Sequence, residues 1–292
     1  MEGIDLHIHT TASDGTLTPS ETVQMAKRQR LKAIAITDHD TVDGVREALE
    51  EGRRVSLEII PGIEISANTK TGHVHLLGYF VETKHGILKK RLERLKQARS
   101  ERNPKIVNKL NSLGVDISYQ EVVQESGGGQ VGRPHFAQVL VNHGYASSIS
   151  EAFNRYLGLG APAYVHKFRF ETDEAIDIIL KTGGVPVLAH PFTLDRTAEE
   201  IEALVTDLVQ KGLKGIEVFY PDHSREQIIQ YRKLSEKLGL VRTGGSDFHG
   251  KLADKGQLGV VGNGIYLTYT VVEELLRVKH EIVLRTLSAD TD

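Results

Sequence analysis

Histidine and carboxylate side chains gather in short clusters that are spread over the whole chain. The first cluster contains Asp5, His7 and His9, whose alternation places all three side chains on one face of a strand. The remaining members are Asp14, Asp38, His39, Asp40, Glu64, His75, His190, Asp247 and His249. Imidazole and carboxylate ligands without sulfur suit Mn²⁺, Zn²⁺ or Fe²⁺, and the chain contains no cysteine. The residue types therefore predict a metal site and leave the identity of the metal open.

The clusters coincide with the ends of predicted strands. Short apolar runs predict strands near residues 4–9, 33–36, 57–66, 73–80, 185–189, 215–219, 240–243 and 264–268. Amphipathic runs predict helices near residues 18–30, 42–52, 172–181, 198–211 and 225–238. This alternation is typical of parallel strands joined by right-handed crossovers. We expect an α/β fold, a distorted (β/α)7 TIM-like barrel, in which the strand ends and their polar clusters meet on one face.

Residues 84–160 interrupt this alternation. The segment is helical in pattern, has a Gly127-Gly128-Gly129 loop and gives no strand signal. We interpret it as an inserted helical subdomain over the active-site face, with the barrel formed by residues 1–83 and 161–287. Residues 84–111 carry ten Lys or Arg and two Glu, a charge of +8. Either the segment is a solvated amphipathic helix packed through residues such as Leu88, or it forms a cationic lip that guides a short polyanion such as an RNA end.

Composition narrows the classes of protein that fit. With 292 residues, 39% apolar and 26% charged, the chain has the material for a buried core, which excludes global disorder. Disulfides and thiolate chemistry are excluded by the absence of cysteine. Neither a secretory signal nor a membrane span is expected, so we predict a cytoplasmic protein. A formal charge of −3 argues against a protein that coats nucleic acid.

Taken in order, the polar motifs resemble those of the polymerase and histidinol phosphatase (PHP) family of metal-dependent phosphoesterases. The motifs are Asp5-Leu6-His7-Ile8-His9, Ser13-Asp14-Gly15, Thr37-Asp38-His39-Asp40, Gly62-Ile63-Glu64-Ile65-Ser66, Val74-His75-Leu76-Leu77-Gly78, Ala189-His190-Pro191 and Gly245-Ser246-Asp247-Phe248-His249. Within the family, Arg133-Pro134-His135-Phe136-Ala137 in the inserted segment resembles the stand-alone bacterial branch of nucleoside 3′,5′-bisphosphate phosphatases and 5′→3′ exoribonucleases.

The resemblance implies the PHP fold and a trinuclear site of two to three divalent ions, with Mn²⁺ as the first choice and Zn²⁺ or Fe²⁺ as alternatives. By carry-over from the family, the ligands fall into three sets: His7, His9, Glu64 and Asp247; Glu64, His75 and His190; Asp14, His39 and His249. A metal-bridged hydroxide at Glu64 would attack phosphorus. For Asp38 and Asp40 we weigh orienting a ligand or relaying a proton against simple capping of the next helix.

A phosphate substrate also needs cationic partners from the protein. The candidates are Arg133, His135, Lys167 and His223, with Arg169 behind them, and a solvated surface position is the alternative for each. We expect structural or exposed positions for His73, His85, His143, His166 and His280.

The preferred function is a nucleotide-directed phosphoesterase. It would remove the 3′-phosphate of nucleoside 3′,5′-bisphosphates, or cleave short RNA from its 5′ end. A phosphomonoesterase acting on a substrate such as histidinol phosphate is the nearest rival. An amidohydrolase-type metal hydrolase and a non-catalytic metal-binding module are the further alternatives. The expected partner is a nucleotide or short RNA substrate, with no membrane and no stable protein partner.

Overall fold

The computed structural model describes residues 3–70, 72–250, 256–262 and 265–289, with the backbone alone for 285–289. Its strands are β1 (Ile4–Asp5), β2 (Ala33–Ile36), β3 (Glu58–Thr69), β4 (Gly72–Tyr79), β5 (Phe170–Glu171), β6 (Val185–Leu188), β7 (Gly215–Phe219) and β8 (Val241–Gly244). Its α-helices are α1 (Pro19–Arg28), α2 (Val45–Val55), α3 (Gly86–Ser112), α4 (Tyr119–Glu125), α5 (Arg133–Asn142), α6 (Ile149–Ala152), α7 (Thr172–Lys181), α8 (Ala198–Gln210), α9 (Arg225–Leu238) and α10 (Thr270–Ala289). A π-helical turn at Phe153–Leu157 follows α6, and a 3₁₀ turn at Pro191–Leu194 follows β6.

The strands form one curled sheet in the order β1-β2-β3-β4-β6-β7-β8, with the short β5 paired to β3. Parallel pairing within β1-β2-β3 and within β6-β7-β8 agrees with the prediction. However, β4 runs antiparallel to both β3 and β6, which distorts the all-parallel pairing of a regular (β/α) barrel. The physical reason is loop length, because β3 ends at Thr69 and β4 begins at Gly72, whereas a parallel crossover needs about a dozen residues.

The two ends of the sheet meet through backbone hydrogen bonds that follow β1. The amide of His9 donates to the Phe248 carbonyl over 2.8 Å, and the Phe248 amide donates to the His7 carbonyl over 3.3 Å. Ile8 and Phe248 therefore form a parallel bridge between the segment after β1 and the segment after β8. This contact closes seven strands into a distorted TIM-like barrel, as predicted, although β1 itself is shorter than the predicted strand at residues 4–9.

Part of the prediction at the chain end lies outside the described residues. Of the strand predicted near residues 264–268, the described part makes two isolated antiparallel bridges, Ile4 with Leu267 and Val261 with Ile265. Residue 264 and the polar tail at 290–292 are among the residues that the structure does not describe. Within the described ranges, no helix combines the length and the apolar character needed to cross a membrane.

Residues 84–160, all of them described, form helices and loops without a strand. The first half of α3 packs on the barrel, because Leu88 and Leu95 belong to the same apolar cluster as the strands. Beyond it, Ile106, Phe136 and Leu140 belong to a second apolar cluster that extends to Ala163. Helix α3 therefore connects the core of the barrel with that of the segment above it.

Candidate metal centre

Glu64, buried in β3, lies at the centre of the predicted ligands. Its Oε2 is 3.4 Å from His7 Nε2, 3.2 Å from His9 Nε2 and 2.8 Å from His39 Nδ1. Strand β3 is the neighbour of β2, and His39 directly after β2 forms a parallel bridge with Glu64. Side chains that follow β1 and β2 thus meet at one carboxylate oxygen of β3.

The other oxygen of Glu64 faces two further histidines. Its Oε1 is 3.0 Å from His75 Nδ1 and 3.0 Å from His190 Nε2. These two ring nitrogens are 3.3 Å apart. The antiparallel pairing of β4 with β3 and β6 brings His75 and His190 together, because Ala189 donates its amide to the His75 carbonyl.

Asp14 and Asp247 complete the centre on the side of His9. Asp247 Oδ1 is 3.1 Å from His9 Nε2, and its Oδ2 accepts a hydrogen bond from the Tyr220 hydroxyl at 2.8 Å. Asp14 Oδ1 is 3.5 Å from His249 Nε2 and 3.7 Å from His9 Nδ1. All nine predicted ligands therefore converge, although they come from segments as distant as residues 7 and 249.

Ligand atoms from these residues fall into four groups in which every atom lies within 4.8 Å of the others. The groups are His9, Asp14, His39 and His249; His39, Glu64 and His75; His7, Glu64 and His190; His7, His9 and Asp247. Their membership overlaps the three sets carried over from the family without reproducing them. The assignment of each residue to a particular ion stays a prediction.

Unpaired buried atoms provide a test of whether divalent cations fit this centre. The following atoms are buried without a hydrogen-bond partner among the described residues: His7 Nε2, His9 Nδ1 and Nε2, Asp14 Oδ1, His39 Nδ1 and Glu64 Oε2. Burying polar atoms without partners costs free energy, and buried charges are normally paired or coordinate metals. Nitrogen and carboxylate donors in such a cluster are ligands for Mn²⁺, Zn²⁺ or Fe²⁺. The residues fit a divalent metal centre.

The electrostatics of the centre also favour cations. Burial opposes ionisation of Glu64, but the facing imidazoles of His39, His75 and His7 hold its pKa well below the usual value. Burial likewise opposes protonation of His9, but the facing carboxylates of Asp247 and Glu64 raise its pKa to about 10. Buried carboxylates thus stay ionised and stabilise positive charge around them.

The backbone at three polar positions adopts a conformation that residues other than glycine rarely use. Asp40, His190 and Asp247 have φ values of 56°, 24° and 50°. Such conformations cost about 1–3 kcal/mol each and persist where the surrounding structure holds them. They occur here at the ends of β2, β6 and β8, where the chain turns to direct a polar side chain into the centre.

A cavity of about 890 Å³ opens beside the centre. Predicted ligands that line it are Asp14, His39, His75, His190, Asp247 and His249. Basic residues that line it are Arg99, Arg102, Arg133, Lys167, Arg169 and Arg196. Four of these cations, Arg99, Arg102, Lys167 and Arg169, are buried. One cavity therefore combines a carboxylate and imidazole cluster with a wall of buried positive charge.

Asp40 pairs with two of these cations. Its Oδ2 accepts from Arg99 Nη2 at 2.5 Å and from Lys167 Nζ at 2.6 Å, while Oδ1 accepts from the Ser66 amide. Burial opposes its ionisation, but Lys167 and Arg99 hold the pKa of Asp40 well below the usual value. Burial and the charge of Arg99 lower the pKa of Lys167 to about 7, although Asp40 acts in the opposite direction. Asp40 therefore anchors the cationic wall.

Asp38 has a different set of partners. It accepts hydrogen bonds from the Thr10 amide at 2.7 Å, the Thr10 hydroxyl at 2.8 Å and the Ser13 hydroxyl at 2.6 Å. These bonds hold the loop that leads to Asp14. Helix capping is wrong for both Asp38 and Asp40, because α2 is preceded by Gly44 and has no side-chain cap.

Three of the four phosphate candidates line the cavity and one does not. Arg133, His135 and Lys167 are lining residues, whereas His223 lies outside the described lining. The Nδ1 of His223 donates to the Val218 carbonyl at 2.9 Å, and the buried ring lies beside the ring of Tyr220. The structure thus does not bring His223 to the cavity.

Two histidines that were expected to be structural or exposed have clear positions. His73 lines the cavity, and burial together with Arg169 lowers its pKa to about 4. His85 instead precedes α3, where its Nδ1 accepts from the Ile87 amide at 3.3 Å. The position of His85 agrees with that expectation, whereas strand β4 places His73 at the same cavity as His75.

Several residues of the site were not predicted. Arg99 and Arg102 continue the spacing of Leu88, Leu92 and Leu95 along the buried stripe of α3, and this spacing was the available signal. Glu217 is the single charged residue in the buried strand Gly215–Phe219, which was also a signal. Tyr220 gave none, because a tyrosine after a strand is an ordinary core residue.

Comparison with known proteins agrees with this geometry. The PHP domain model matches residues 5–162. The chain is 35% identical to the 5′-3′ exoribonuclease Rnm of Escherichia coli over 84% of each chain. It is 31% identical to a 3′,5′-nucleoside bisphosphate phosphatase of Chromobacterium violaceum, over 85% of this chain and 88% of that one. A solved structure from Chromobacterium violaceum, described as an amidohydrolase with bound sulfate and no metal, superposes with a TM-score of 0.85 at 29% identity, over 93% of this chain and 96% of that one. The chain belongs to the PHP family of metal-dependent phosphoesterases.

Proposed function

We propose that the chain hydrolyses phosphate esters of nucleotides. Its substrates would be nucleoside 3′,5′-bisphosphates, which lose the 3′-phosphate, and short RNA, which loses nucleotides from the 5′ end. The observation that carries this proposal is the cavity that joins the metal-ligand cluster to buried cations, because a nucleotide with two phosphates needs both. Similarity to a 5′-3′ exoribonuclease and to a nucleoside bisphosphate phosphatase supports the same substrate class.

The proposed ligands of two to three divalent ions are His7, His9, Asp14, His39, Glu64, His75, His190, Asp247 and His249. When bound, divalent cations lower the pKa of water and neutralise negative charge on a phosphate ester. Glu64 contributes an oxygen to either side of the cluster, since its two oxygens face different histidines. Mn²⁺ is the proposed ion, with Zn²⁺ and Fe²⁺ as alternatives.

The proposed partners of the second phosphate are the cations that line the cavity. Arg133 is partly buried, and it donates to the Leu157 carbonyl at 3.1 Å while its guanidinium lies over the Phe153 ring. Lys167 and Arg99 are held in place by Asp40. Because these side chains are already ordered, binding an anion costs little further conformational entropy. His135, which lines the same side of the cavity, would donate a further hydrogen bond to this phosphate.

The cavity also has room and apolar surface for a nucleoside. Its volume of about 890 Å³ is within the range of small-molecule sites, about 300–1,000 Å³. Ile149, Phe153 and Leu159 from the segment above the barrel belong to its lining. A base can pack against such side chains without specific hydrogen bonds, which is compatible with several bases.

The basic character of α3 serves both proposed substrates. Arg99 and Arg102 are buried at the cavity, whereas Lys89, Lys90 and Lys105 are exposed. Exposed cations attract longer polyanions through the phosphate backbone. We therefore retain the interpretation of α3 as a cationic lip for RNA ends.

Substrate profiling with Mn²⁺-loaded protein tests the proposal. The panel contains a nucleoside 3′,5′-bisphosphate, a short 5′-phosphorylated RNA, histidinol phosphate and bis(p-nitrophenyl) phosphate. We expect the first two to have the highest kcat/KM. A preference for histidinol phosphate would replace the nucleotide assignment by the rival phosphomonoesterase. Absence of turnover for the whole panel would favour a metal-binding module.

A further inference from the structure

Glu217 connects two predicted metal ligands that come from different strands. It is fully buried in β7 between the apolar residues Ile216 and Val218. Its Oε1 is 3.0 Å from His7 Nδ1. Its Oε2 accepts a hydrogen bond from the backbone amide of His190 at 2.7 Å. A single carboxylate therefore contacts the ring of one ligand and the backbone of another.

The contact with His7 determines which ring nitrogen carries the proton. A carboxylate accepts hydrogen bonds, so Nδ1 of His7 is the donor to Glu217. The other nitrogen, Nε2, then presents its lone pair toward the centre, where Glu64 Oε2 lies at 3.4 Å and Asp247 Oδ1 at 3.5 Å. This is the tautomer that a metal ligand requires, and a partner on the far nitrogen is the usual way to hold it.

The hydrogen bond between Glu217 and the His190 amide stabilises a strained backbone conformation at His190. His190 has φ 24° and ψ 62°, outside the regions that residues other than glycine favour. In this conformation its Nε2 is 3.0 Å from Glu64 Oε1. A hydrogen bond from its amide to Glu217 stabilises the turn that directs the ring to the centre.

We propose that Glu217 is a positioning residue that sets the tautomer of His7 and the backbone of His190, and so strengthens metal binding. The inference rests on the metal roles of His7 and His190 in the proposed function. Direct coordination by Glu217 is not favoured, because none of the ligand groups found among the described residues includes it.

Glu217→Gln tests the proposal with little change in side-chain volume. A glutamine offers one acceptor oxygen and one NH₂ group, so it cannot accept from both His7 Nδ1 and the His190 amide. We expect about 10–100-fold weaker Mn²⁺ binding in calorimetric titration, the loss typical of such outer partners. Glu58→Gln, at an exposed position at the start of β3, is the matched control and should bind Mn²⁺ as the wild type does. Wild-type Mn²⁺ affinity in a folded Glu217→Gln variant would overturn the proposal.

A second measurement on the wild-type protein keeps the proposal testable if the variant does not fold. Long-range ¹H–¹⁵N correlation spectra of protein loaded with Zn²⁺ report the tautomer of each histidine. We expect His7 to be protonated at Nδ1. Protonation of His7 at Nε2 would overturn the role of Glu217 while leaving the phosphoesterase function intact. A wild-type protein that binds no divalent cation would overturn both proposals.

Discussion

Arg99 of helix α3 donates a hydrogen bond to Asp40, which lies 59 residues earlier in the chain, directly after His39. Lys167, on the return from the helical segment to the barrel, donates to the same carboxylate oxygen. Helix α3 and the stretch of chain that follows the segment are thus both attached to one carboxylate beside a predicted metal ligand. Correct placement of the cationic wall depends on this buried ion triad.

Asp40→Asn removes the negative charge of the triad. Breaking a buried ion pair by removing one partner typically costs about 3–5 kcal/mol, because the other charges stay buried without compensation. We expect a decrease of this size in the free energy of unfolding measured with urea. Asp207→Asn, which removes an exposed pair with Lys211 on α8, is the control and should cost about 1 kcal/mol or less. Equal losses of unfolding free energy in the two variants would contradict a stabilising role for the buried ion triad.

The difference in the free energy of unfolding between wild type and Asp40→Asn depends on pH in a defined way. Because the folded pKa of Asp40 is lowered, its contribution to stability is present above the unfolded pKa of about 3.9 and is lost as the pH falls through the folded pKa. The stability difference between wild type and Asp40→Asn is therefore followed below pH 5, away from the wild-type Lys167 pKa of about 7. Below about pH 4 it should shrink by about 1.4 kcal/mol per pH unit. A difference that grows as the pH falls below about 4 would refute the assignment.

Glu64→Gln replaces the carboxylate that faces five histidines. An amide has one acceptor oxygen, so the charge and half of the acceptor capacity are lost. We expect loss of phosphoesterase turnover by more than the 10–100-fold typical of outer partners of a metal site, together with a lower content of bound Mn²⁺. Elemental analysis after dialysis and a steady-state assay measure the two effects. A variant with full activity would contradict the central role of Glu64.

Arg133→Met tests the cationic wall. A hydrogen bond to a charged group contributes about 1.5–3 kcal/mol, which corresponds to about a 10–100-fold change in binding. We expect KM for a nucleoside 3′,5′-bisphosphate to rise by this factor with a smaller change in kcat. Lys105→Met, at an exposed position on the same segment, should leave KM unchanged. If both variants bind the bisphosphate equally well, Arg133 does not contact its phosphate.

Salt dependence distinguishes the buried cations from the exposed ones. For single strands, the logarithm of affinity falls with the logarithm of salt concentration by about 0.7 for each phosphate contacted. We therefore expect kcat/KM for a short RNA to fall more steeply with salt than that for a mononucleotide bisphosphate. Lys90→Gln on α3 should flatten the RNA dependence, whereas Lys233→Gln on α9 should not. Equal salt dependence of kcat/KM for the two substrates would contradict the interpretation of α3 as a cationic lip.

Local sequence patterns predicted many elements closely. The predicted bounds of α7, β7 and α9 agree with the structure, since strong periodicity defines them and a capping box at Ser224 and Gln227 begins α9. The convergence of the polar clusters followed from the rule that parallel strand ends share one face. Features that depend on distant segments were not accessible, among them the pairing of β4 with β6.

The unpredicted parts of the site have a common physical origin. Arg99 becomes a cavity residue only because α3 packs on the barrel beside Asp40, and Glu217 matters only because β7 lies next to β6. Charged residues in an apolar stripe or strand signal a buried partner, but a single sequence does not identify that partner. The position of His223 after a strand suggested the site, but its buried ring is hydrogen-bonded to the Val218 carbonyl and is not part of the cavity lining.

Release of inorganic phosphate from adenosine 3′,5′-bisphosphate by chelator-treated protein, with and without added Mn²⁺, tests the central claim most directly. The account predicts no release without metal. With Mn²⁺ it predicts one phosphate per nucleotide and a 5′-monophosphate as product. Failure of Mn²⁺, Zn²⁺ and Fe²⁺ alike to restore hydrolysis of this substrate or of a short RNA would contradict it.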